Sequence, residues 1–254
     1  MWSLTVYASI IVVTVVLPFS LSKCPKNFTD VGSKVCLIVI KQPSFYCDAH
    51  RICDQEGRNS GQRLFMIGRH AHKLSVNLFG LTIFHTGINS FLENLGKLRN
   101  GWQVSEPGYI SDVLNATDIP WSLLEPFENG EQVVSFLSGG LYAKRQSSLF
   151  TYPVCELSNV AYPNKTGVSK FNRNYPRPLA SNFMELDLSV GCFRQTTAAS
   201  ALACGLKCRL LDECFTFYFN QQRKDCRLSL YVDSRLPKSL QNTPGEWMRF
   251  RRKP

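Results

Sequence analysis

His70 and His72 are the residues whose type and spacing come nearest to those of a metal site. Two histidines separated by one residue could chelate a metal ion from one face of a strand. No third ligand lies near them in the sequence, and the other histidines, His50 and His85, stand apart. Such a pair more often consists of exposed polar residues on a helix or loop, so the sequence predicts no bound metal and no cofactor.

Recognisable catalytic motifs are missing from the sequence. It contains neither the Gly-x-Ser-x-Gly turn of hydrolases, nor a phosphate-binding loop, nor a His-Glu-x-x-His zinc motif. Acidic pairs such as Asp212 with Glu213 and Glu125 with Glu128 lack a recognisable set of partners, which favours charged surface over acid–base chemistry. We therefore expect a protein without enzymatic activity.

The ten cysteines are the other reactive residues, and their chemistry depends on the compartment. Residues 2–22 carry no charge, and residues 10–17 form an apolar run about as long as the core of a signal peptide. Ser20 and Ser22 are small residues suited to a cleavage after Ser22. This pattern predicts a signal peptide over residues 1–22, with a retained membrane anchor as the alternative.

Secretion would favour disulfide bonds over free thiols. It would also give meaning to three N-glycosylation sequences, which begin at Asn27, Asn115 and Asn164. No later segment holds about 18 apolar residues in succession, so we expect no membrane span after cleavage. The predicted protein is secreted and extracellular.

Four cysteines lie close together in residues 204–226. Cys204 and Cys208 are four residues apart, so they would share one face of a helix. A polar turn between two aromatic or apolar runs then indicates a hairpin that carries the other two cysteines. Four cysteines allow three pairings, and spacing alone does not select one of them.

The elements expected around these cysteines are one helix and a hairpin. Good helix formers fill residues 198–211, and Thr196 and Thr197 are expected to cap this helix. Residues 215–219 and residues 226–232 are predicted to form the two strands. The sequence therefore predicts a helix stapled to a hairpin by two bridges.

Residues 183–251 resemble the PAN/Apple family of extracellular modules. In that family a helix carries Cys-x-x-x-Cys, and two further cysteines lie on the following hairpin. The resemblance implies a last strand at residues 246–250 and two nested bridges, Cys204–Cys226 and Cys208–Cys214. A disulfide-stapled helix and hairpin of another family is the alternative.

The earlier part of the chain begins with a predicted hairpin that a short bridge between Cys24 and Cys36 would close. A helix carrying Cys53 follows, and a final strand ends on Cys155. These pieces, in this order, resemble a degenerate C-type lectin-like domain of the long form. The resemblance implies the short bridge Cys24–Cys36 and a long bridge, Cys53–Cys155.

Sugar-binding members of the C-type lectin family hold Ca²⁺ through a Glu-Pro-Asn or Gln-Pro-Asp triplet and a later Trp-Asn-Asp. Here Phe127 stands at the third position of the triplet, and residues 141–143 are Leu-Tyr-Ala. Glu125 and Glu131 alone cannot supply the six to eight oxygen ligands that Ca²⁺ requires. We therefore expect a scaffold for protein binding rather than a calcium-dependent lectin.

Two cysteines have no partner in either resemblance, Cys47 and Cys192. The cysteines of the lectin family's inner bridge are also absent, at about Val133 and Gln146. One hypothesis is a Cys47–Cys192 bridge between the two domains. The alternatives are one intermolecular bridge or two buried thiols.

Positive charge is concentrated in the later part of the chain. The net charge is +1 over residues 23–157 and +9 over residues 158–254. Such a field attracts polyanions, and a secreted protein meets sulfated glycosaminoglycans, anionic cell surfaces or acidic proteins before nucleic acid. The predicted polyanion-binding residues are Arg223, Lys224, Arg227, Arg249, Arg251, Arg252 and Lys253. A solvated basic face that only keeps the protein soluble is the alternative.

The predicted fold class is α+β, with a disulfide-stapled C-type lectin-like domain and a small PAN/Apple-like module of one helix on an antiparallel sheet. The expected boundaries are a signal peptide at 1–22, the lectin-like domain at 23–157, a linker at 158–180 and the PAN/Apple-like module at 181–254. The expected function is recognition or adhesion through extracellular proteins or sulfated polyanions. The alternative is a calcium-independent carbohydrate-binding lectin in defence or cell recognition.

Overall fold

The computed structural model contains two β-sheets, each with helices packed on it. It describes residues 24–80, 82–92, 101–106, 113–114, 119–126, 130–147, 150–162, 167–176, 178–185 and 190–253. We call the sheet formed before residue 160, together with its helices, the first module. The sheet formed after residue 170, together with its helix, is the second module. Among the described residues, no helix combines the length and the apolar character needed to cross a membrane.

The first module is a nine-stranded sheet. Its strands are β1 (Thr29–Asp30), β2 (Cys36–Val39), β3 (Leu64–Met66), β4 (Phe84–Asn89), β5 (Trp102–Val104), β6 (Val113–Leu114), β7 (Val133–Leu137), β8 (Gly140–Lys144) and β9 (Tyr152–Leu157). Strand β9 is central, because it pairs antiparallel with β2 and β3 and parallel with β4. Strand β7 continues the sheet from β4 to β8.

Helix α1 (Tyr46–Asn59) covers part of this sheet. Tyr46, Ala49 and Cys53 have no exposed surface, since residues three or four apart lie on the same helix face. The helix that was expected to carry Cys53 is therefore present and spans Tyr46–Asn59. A 3₁₀ turn (Arg69–Lys73) and the one-turn helix α2 (Val76–Phe79) follow β3.

The second module is a five-stranded antiparallel sheet with one helix on it. Its strand order is β10-β14-β12-β13-β11, with β10 (Phe171–Arg173), β11 (Phe193–Thr197), β12 (Cys214–Asn220), β13 (Asp225–Leu230) and β14 (Trp247–Arg252). Helix α3 (Ala201–Arg209) packs on β12. Phe217 and Phe250 stack beneath it, with ring centroids 5.0 Å apart.

The cap of α3 differs from the prediction. Ser200 Oγ accepts a hydrogen bond from the backbone N–H of Ala203 at 3.2 Å, so Ser200 is the N-cap. Thr196 and Thr197 lie instead in β11, where Thr196 is opposite Cys226. The cap prediction was wrong because the chain stays extended for longer than the helix-forming composition indicates.

The linker prediction, residues 158–180, was too long. Strand β10 falls inside this range and pairs with β14, with Phe171 opposite Arg252. The Phe171 ring also contacts Phe217 at a centroid distance of 5.2 Å. Phe171 thus anchors one edge of the sheet from within the segment that was predicted to be a linker.

All ten cysteines form disulfide bonds. The pairs are Cys24–Cys36, Cys47–Cys192, Cys53–Cys155, Cys204–Cys226 and Cys208–Cys214. Four of the five pairs are those that the two resemblances imply. The fifth, Cys47–Cys192, joins the start of α1 to the residue before β11 and so links the two modules covalently.

Gln146 holds the same junction through hydrogen bonds. Its Oε1 accepts from the backbone N–H groups of Val190 and Gly191 at 2.9 and 3.0 Å, and its Nε2 donates to the Gly191 carbonyl at 3.0 Å. Gln146 stands at about the position where the lectin family has a cysteine. In this chain the position therefore holds the second module rather than closing a local bridge.

Apolar and aromatic side chains also pack across the junction between the two modules. Tyr46 and Phe91 of the first module share a buried cluster with Met184 and Val232 of the second. The His50 ring stacks on Tyr231 at a centroid distance of 5.5 Å. The two modules therefore share part of one hydrophobic core.

Asp212 and Glu213 contribute an ion pair to this junction. Arg58 Nη1 lies 3.2 Å from Asp212 Oδ2, and Arg58 Nη2 lies 3.6 Å from Glu213 Oε2. Asp212 is buried. The interpretation of this acidic pair as charged surface was therefore wrong, because α1 of the first module brings Arg58 against it.

A buried ion cluster around Asp233 supports the second module. Asp233 Oδ2 accepts hydrogen bonds from Arg249 Nη2 at 2.5 Å and contacts Arg251 Nη1 at 2.8 Å. Arg249 also donates to the carbonyl of Tyr175 at 2.7 Å. All three charged side chains are at most 6% exposed. Charges this deeply buried are tolerated only when they are paired.

Removing the junction bridge should destabilise the protein more than removing a local one. We expect Cys47→Ser with Cys192→Ser to lower the free energy of unfolding by about 2–5 kcal/mol. The matched control is Cys24→Ser with Cys36→Ser, since that bridge spans 12 residues of sequence against 145. Denaturant unfolding of the non-reduced proteins measures both losses. An equal or smaller loss for the junction variant would contradict the prediction.

Removing the charge of Asp233 should be strongly destabilising. Asp233→Asn takes away the buried counterion that Arg249 and Arg251 share, and we expect a loss of about 3–5 kcal/mol in unfolding free energy. The control is Glu246→Gln, which breaks the exposed Arg173–Glu246 pair. It should change stability by no more than about 0.5 kcal/mol. Similar losses in both variants would show that the burial of the cluster has no energetic consequence.

Candidate functional site

Two of the predicted polyanion-binding residues are buried. Arg249 and Arg251 are 1% and 5% exposed and bind Asp233. Alternate residues of a strand point to opposite faces, so Arg249 and Arg251 share one face of β14, whereas Phe250 packs on the α3 side. The assignment of both arginines to a polyanion site was therefore wrong.

Two further predicted residues are engaged within the fold. Arg227 pairs with the buried Asp225 at 3.0 Å. Arg252 Nη2 donates to the carbonyls of Cys208 and Leu211 at 3.0 and 3.4 Å, near the C-terminal end of α3. These arginines are half-buried. Arg227 thus neutralises a buried acid, and Arg252 is a cation placed favourably at a helix C-terminus.

The remaining predicted residues, Arg223, Lys224 and Lys253, are exposed. Lys224 Nζ donates to the carbonyl of Ala199, just before α3, at 3.3 Å. In the described part of the second module the other fully exposed cations are Lys170, Arg173, Arg194, Lys207 and Lys238. Three of its acids are buried, Asp212, Asp225 and Asp233. Three arginines, Arg235, Arg249 and Arg251, are buried as well, so the outer surface of this module keeps the net positive charge that its sequence composition indicates.

A groove runs beside α3 on the second module. Its empty volume is about 840 Å³, and its floor is aromatic. The lining residues include Val168, Phe171, Leu202, Leu206, Phe217 and Phe250. Soluble proteins seldom leave an apolar concavity of this kind uncovered unless it binds something.

The leucines on the rim of the groove are exposed. Leu202 is 85% and Leu206 53% exposed, and Val168 across the groove is 89% exposed. Leu202 and Leu206 are four residues apart and so lie one turn apart on the same helix face. Cys204 and Cys208 hold the opposite face of α3 to the sheet. The bridges thus fix which face of the helix meets solvent.

Cations border these leucines. Lys207 follows Leu206 in α3, and its Nζ donates to Thr196 Oγ1 at 2.9 Å and to the Thr197 carbonyl at 2.7 Å. Arg209 lines the groove, and the Arg252 guanidinium lies 5.5 Å from the centre of the Phe171 ring. The site therefore offers apolar surface and positive charge side by side.

The exposed leucines beside this groove could have been predicted from their spacing in the sequence. Leu202, Leu206 and Leu210 recur every four residues, offset by two from Cys204 and Cys208. If the cysteines face the sheet, this spacing places the leucines on the outer face. The aromatic floor could not be found in this way, because Phe171 comes from the segment predicted to be a linker.

The residues that the lectin resemblance would place at a calcium site are engaged in local structure. Glu125 Oε2 accepts a hydrogen bond from the backbone N–H of Ala143 at 3.0 Å, and Glu125 is buried. Leu141 and Ala143 of β8 face the core. Phe127 lies outside the described residues. Glu125 thus serves to fix β8.

Of the three predicted glycosylation sites, only Asn27 lies among the described residues. Asn27 is exposed in the turn before β1, as a glycan acceptor needs to be. Asn115 and Asn164 lie outside the described residues, so their glycosylation stays a prediction.

No protein-family model and no curated protein matches the sequence. Similar solved structures include the C-type lectin CEL-I from Cucumaria echinata, human lithostathine and the C-type carbohydrate-recognition domain of cow CD23. CEL-I is 13% identical over 54% of this chain and 98% of its own, with a TM-score of 0.40. Human lithostathine is 15% identical over 56% and 96%, with a TM-score of 0.41. Cow CD23 is 15% identical over 54% and 98%, with a TM-score of 0.36. Scores at this level carry no argument about what this chain binds.

Proposed function

We propose that this protein is an extracellular, non-enzymatic recognition protein whose second module binds an acidic protein segment with apolar side chains. The observation that carries the proposal is the row of exposed leucines on α3 beside an aromatic groove that Arg209 lines. A segment that fills the groove would remove Leu202, Leu206 and Val168 from water. Each well-buried side chain of this size contributes about 1.5–3 kcal/mol.

Charge complementarity selects the partner class. An acidic segment would meet Arg209, which lines the groove, and Arg252, whose guanidinium lies over the Phe171 ring, and these cations would steer association and set its orientation. A sulfated polysaccharide would use the same cations, but it offers few apolar groups to cover the leucines. An acidic helix or extended segment with leucine or phenylalanine side chains suits both parts of the site.

The extracellular assignment rests on the cysteines. Five bridges among ten cysteines are typical of an oxidising compartment, and this agrees with the signal peptide proposed at residues 1–22. We further propose that the first module is a C-type lectin-like domain that serves as a scaffold. The second is proposed to be a PAN/Apple-like module. The bridges Cys24–Cys36 and Cys53–Cys155, and the nested pair around α3, support these two assignments.

Truncating the exposed leucines should weaken the binding of acidic apolar peptides. We expect Leu202→Ala with Leu206→Ala to weaken binding by about tenfold or more, because the apolar burial that both leucines provide is worth more than about 1.4 kcal/mol. The probes are synthetic acidic peptides with leucine or phenylalanine four residues apart, measured by fluorescence anisotropy. The same peptides with serine at those positions are the matched ligands. Leu78→Ala, which truncates an exposed leucine of the first module, is the matched control variant.

The other outcomes of this experiment each contradict the proposal. Heparin binding that exceeds peptide binding, and that the leucine truncations leave unchanged, would indicate a polyanion site instead. Discrete neutral-sugar hits on a glycan array, unaffected by a chelator, would indicate a calcium-independent lectin. Failure of every acidic apolar peptide to bind the full chain would overturn the assignment of the groove.

A further inference from the structure

Three potential metal ligands meet in the first module, on elements distant in sequence. His70, in the 3₁₀ turn after β3, has its Nδ1 2.8 Å from Glu156 Oε1 on β9. Glu106 follows β5, and one ligating atom from each of the three residues lies within 4.8 Å of the others. We infer that His70, Glu106 and Glu156 bind a divalent transition metal ion of the zinc class.

One oxygen of this cluster lacks the partner that its burial requires. Glu156 is 5% exposed, and its Oε2 is buried with no hydrogen bond from the described residues. The nearby Lys73 directs its ammonium group elsewhere, to the carbonyls of Val31 and Gly32 at 3.2 and 3.3 Å. A buried carboxylate oxygen without a donor is unfavourable, and coordination to a metal ion would satisfy it.

Glu106 is held in the cluster by the backbone at Gly68 and Arg69. Its Oε1 accepts a hydrogen bond from the backbone N–H of Arg69. Gly68 supplies the necessary space, because a Cβ at that position would lie 2.8 Å from Glu106 Oε1. Glu106 and Glu156 are both buried. Two buried carboxyl groups this close together favour the binding of a cation.

The donor set selects the class of metal. One imidazole nitrogen and two carboxylates suit zinc and similar ions, whose bonds of about 2.0–2.2 Å require ligating atoms about 3–4 Å apart. Small rotations of the glutamate side chains would bring the present atoms to that separation. Ca²⁺ instead takes six to eight oxygen ligands and is poorly matched by an imidazole. His70, with 32% of its side chain exposed, provides access from solvent.

His72 does not belong to the cluster, although it forms the evident pair in the sequence. Its side chain is exposed, and its Nδ1 lies 3.1 Å from the Arg69 carbonyl. The ring centroids of His70 and His72 are 6.2 Å apart. The partners of His70 are instead two glutamates that the fold of the sheet brings to it. His72 is therefore the natural control residue.

Titration of the metal-free full-length protein with Zn²⁺ tests the proposal. Isothermal titration calorimetry should show one Zn²⁺ per chain for the wild type and for His72→Ala. His70→Ala and Glu106→Gln should weaken binding by about tenfold or more, since each removes a ligand. Glu106→Gln keeps the shape of the side chain, so a loss of binding in this variant would not be caused by misfolding. With Co²⁺ as the probe, the visible absorption bands of a bound ion should appear in the wild type and be lost in His70→Ala.

The opposite results would overturn the site. Equal Zn²⁺ affinity in His70→Ala and wild type would show binding at surface histidines only. Unchanged affinity in Glu106→Gln would exclude the buried carboxylate as a ligand. Absence of any Zn²⁺ heat in the wild type, or preferential binding of Ca²⁺ over Zn²⁺, would also contradict the inference.

Discussion

The architecture depends on one constraint, the fixation of residues 190–192 against the first module. The Cys47–Cys192 bridge attaches this segment covalently, and the Gln146 amide satisfies its backbone at Val190 and Gly191. Strand β11 begins directly after it, so one edge of the second sheet is attached to the first module. The shared core around Tyr46 and the Arg58 ion pairs follow from the same juxtaposition.

In the second module, burial determines which charged residues contribute to the surface charge. Its sequence has a large positive excess, but Arg249 and Arg251 use theirs to neutralise Asp233 inside the protein. Burial thereby removes three acids and three arginines from the surface and leaves the exposed lysines in place. The electrostatic field that acts on a partner depends on which charged residues are exposed and on where they lie relative to α3. Composition alone describes neither.

Elements with a local signal could be predicted from the sequence. The spacing of Cys204 and Cys208 predicted a stapled helix, and the resemblances implied four of the five bridges that the structure contains. Features that depend on contacts distant in sequence could not. A strand near residue 250 was expected, but which of its alternating faces is buried depends on Asp233, which lies in a separate loop. The residues beside His70 could likewise not be predicted from the sequence, because Glu156 is brought next to His70 only by the pairing of strands in the sheet.

The Cys47–Cys192 bridge also bears on how such a protein changes during evolution. Loss or transfer of either module by recombination would leave an unpaired cysteine and an exposed apolar surface on the remaining one. A free thiol and an exposed apolar patch both make a protein prone to aggregation. Selection would therefore transmit the two modules together as one heritable unit, even though each has its own sheet and its own internal bridges.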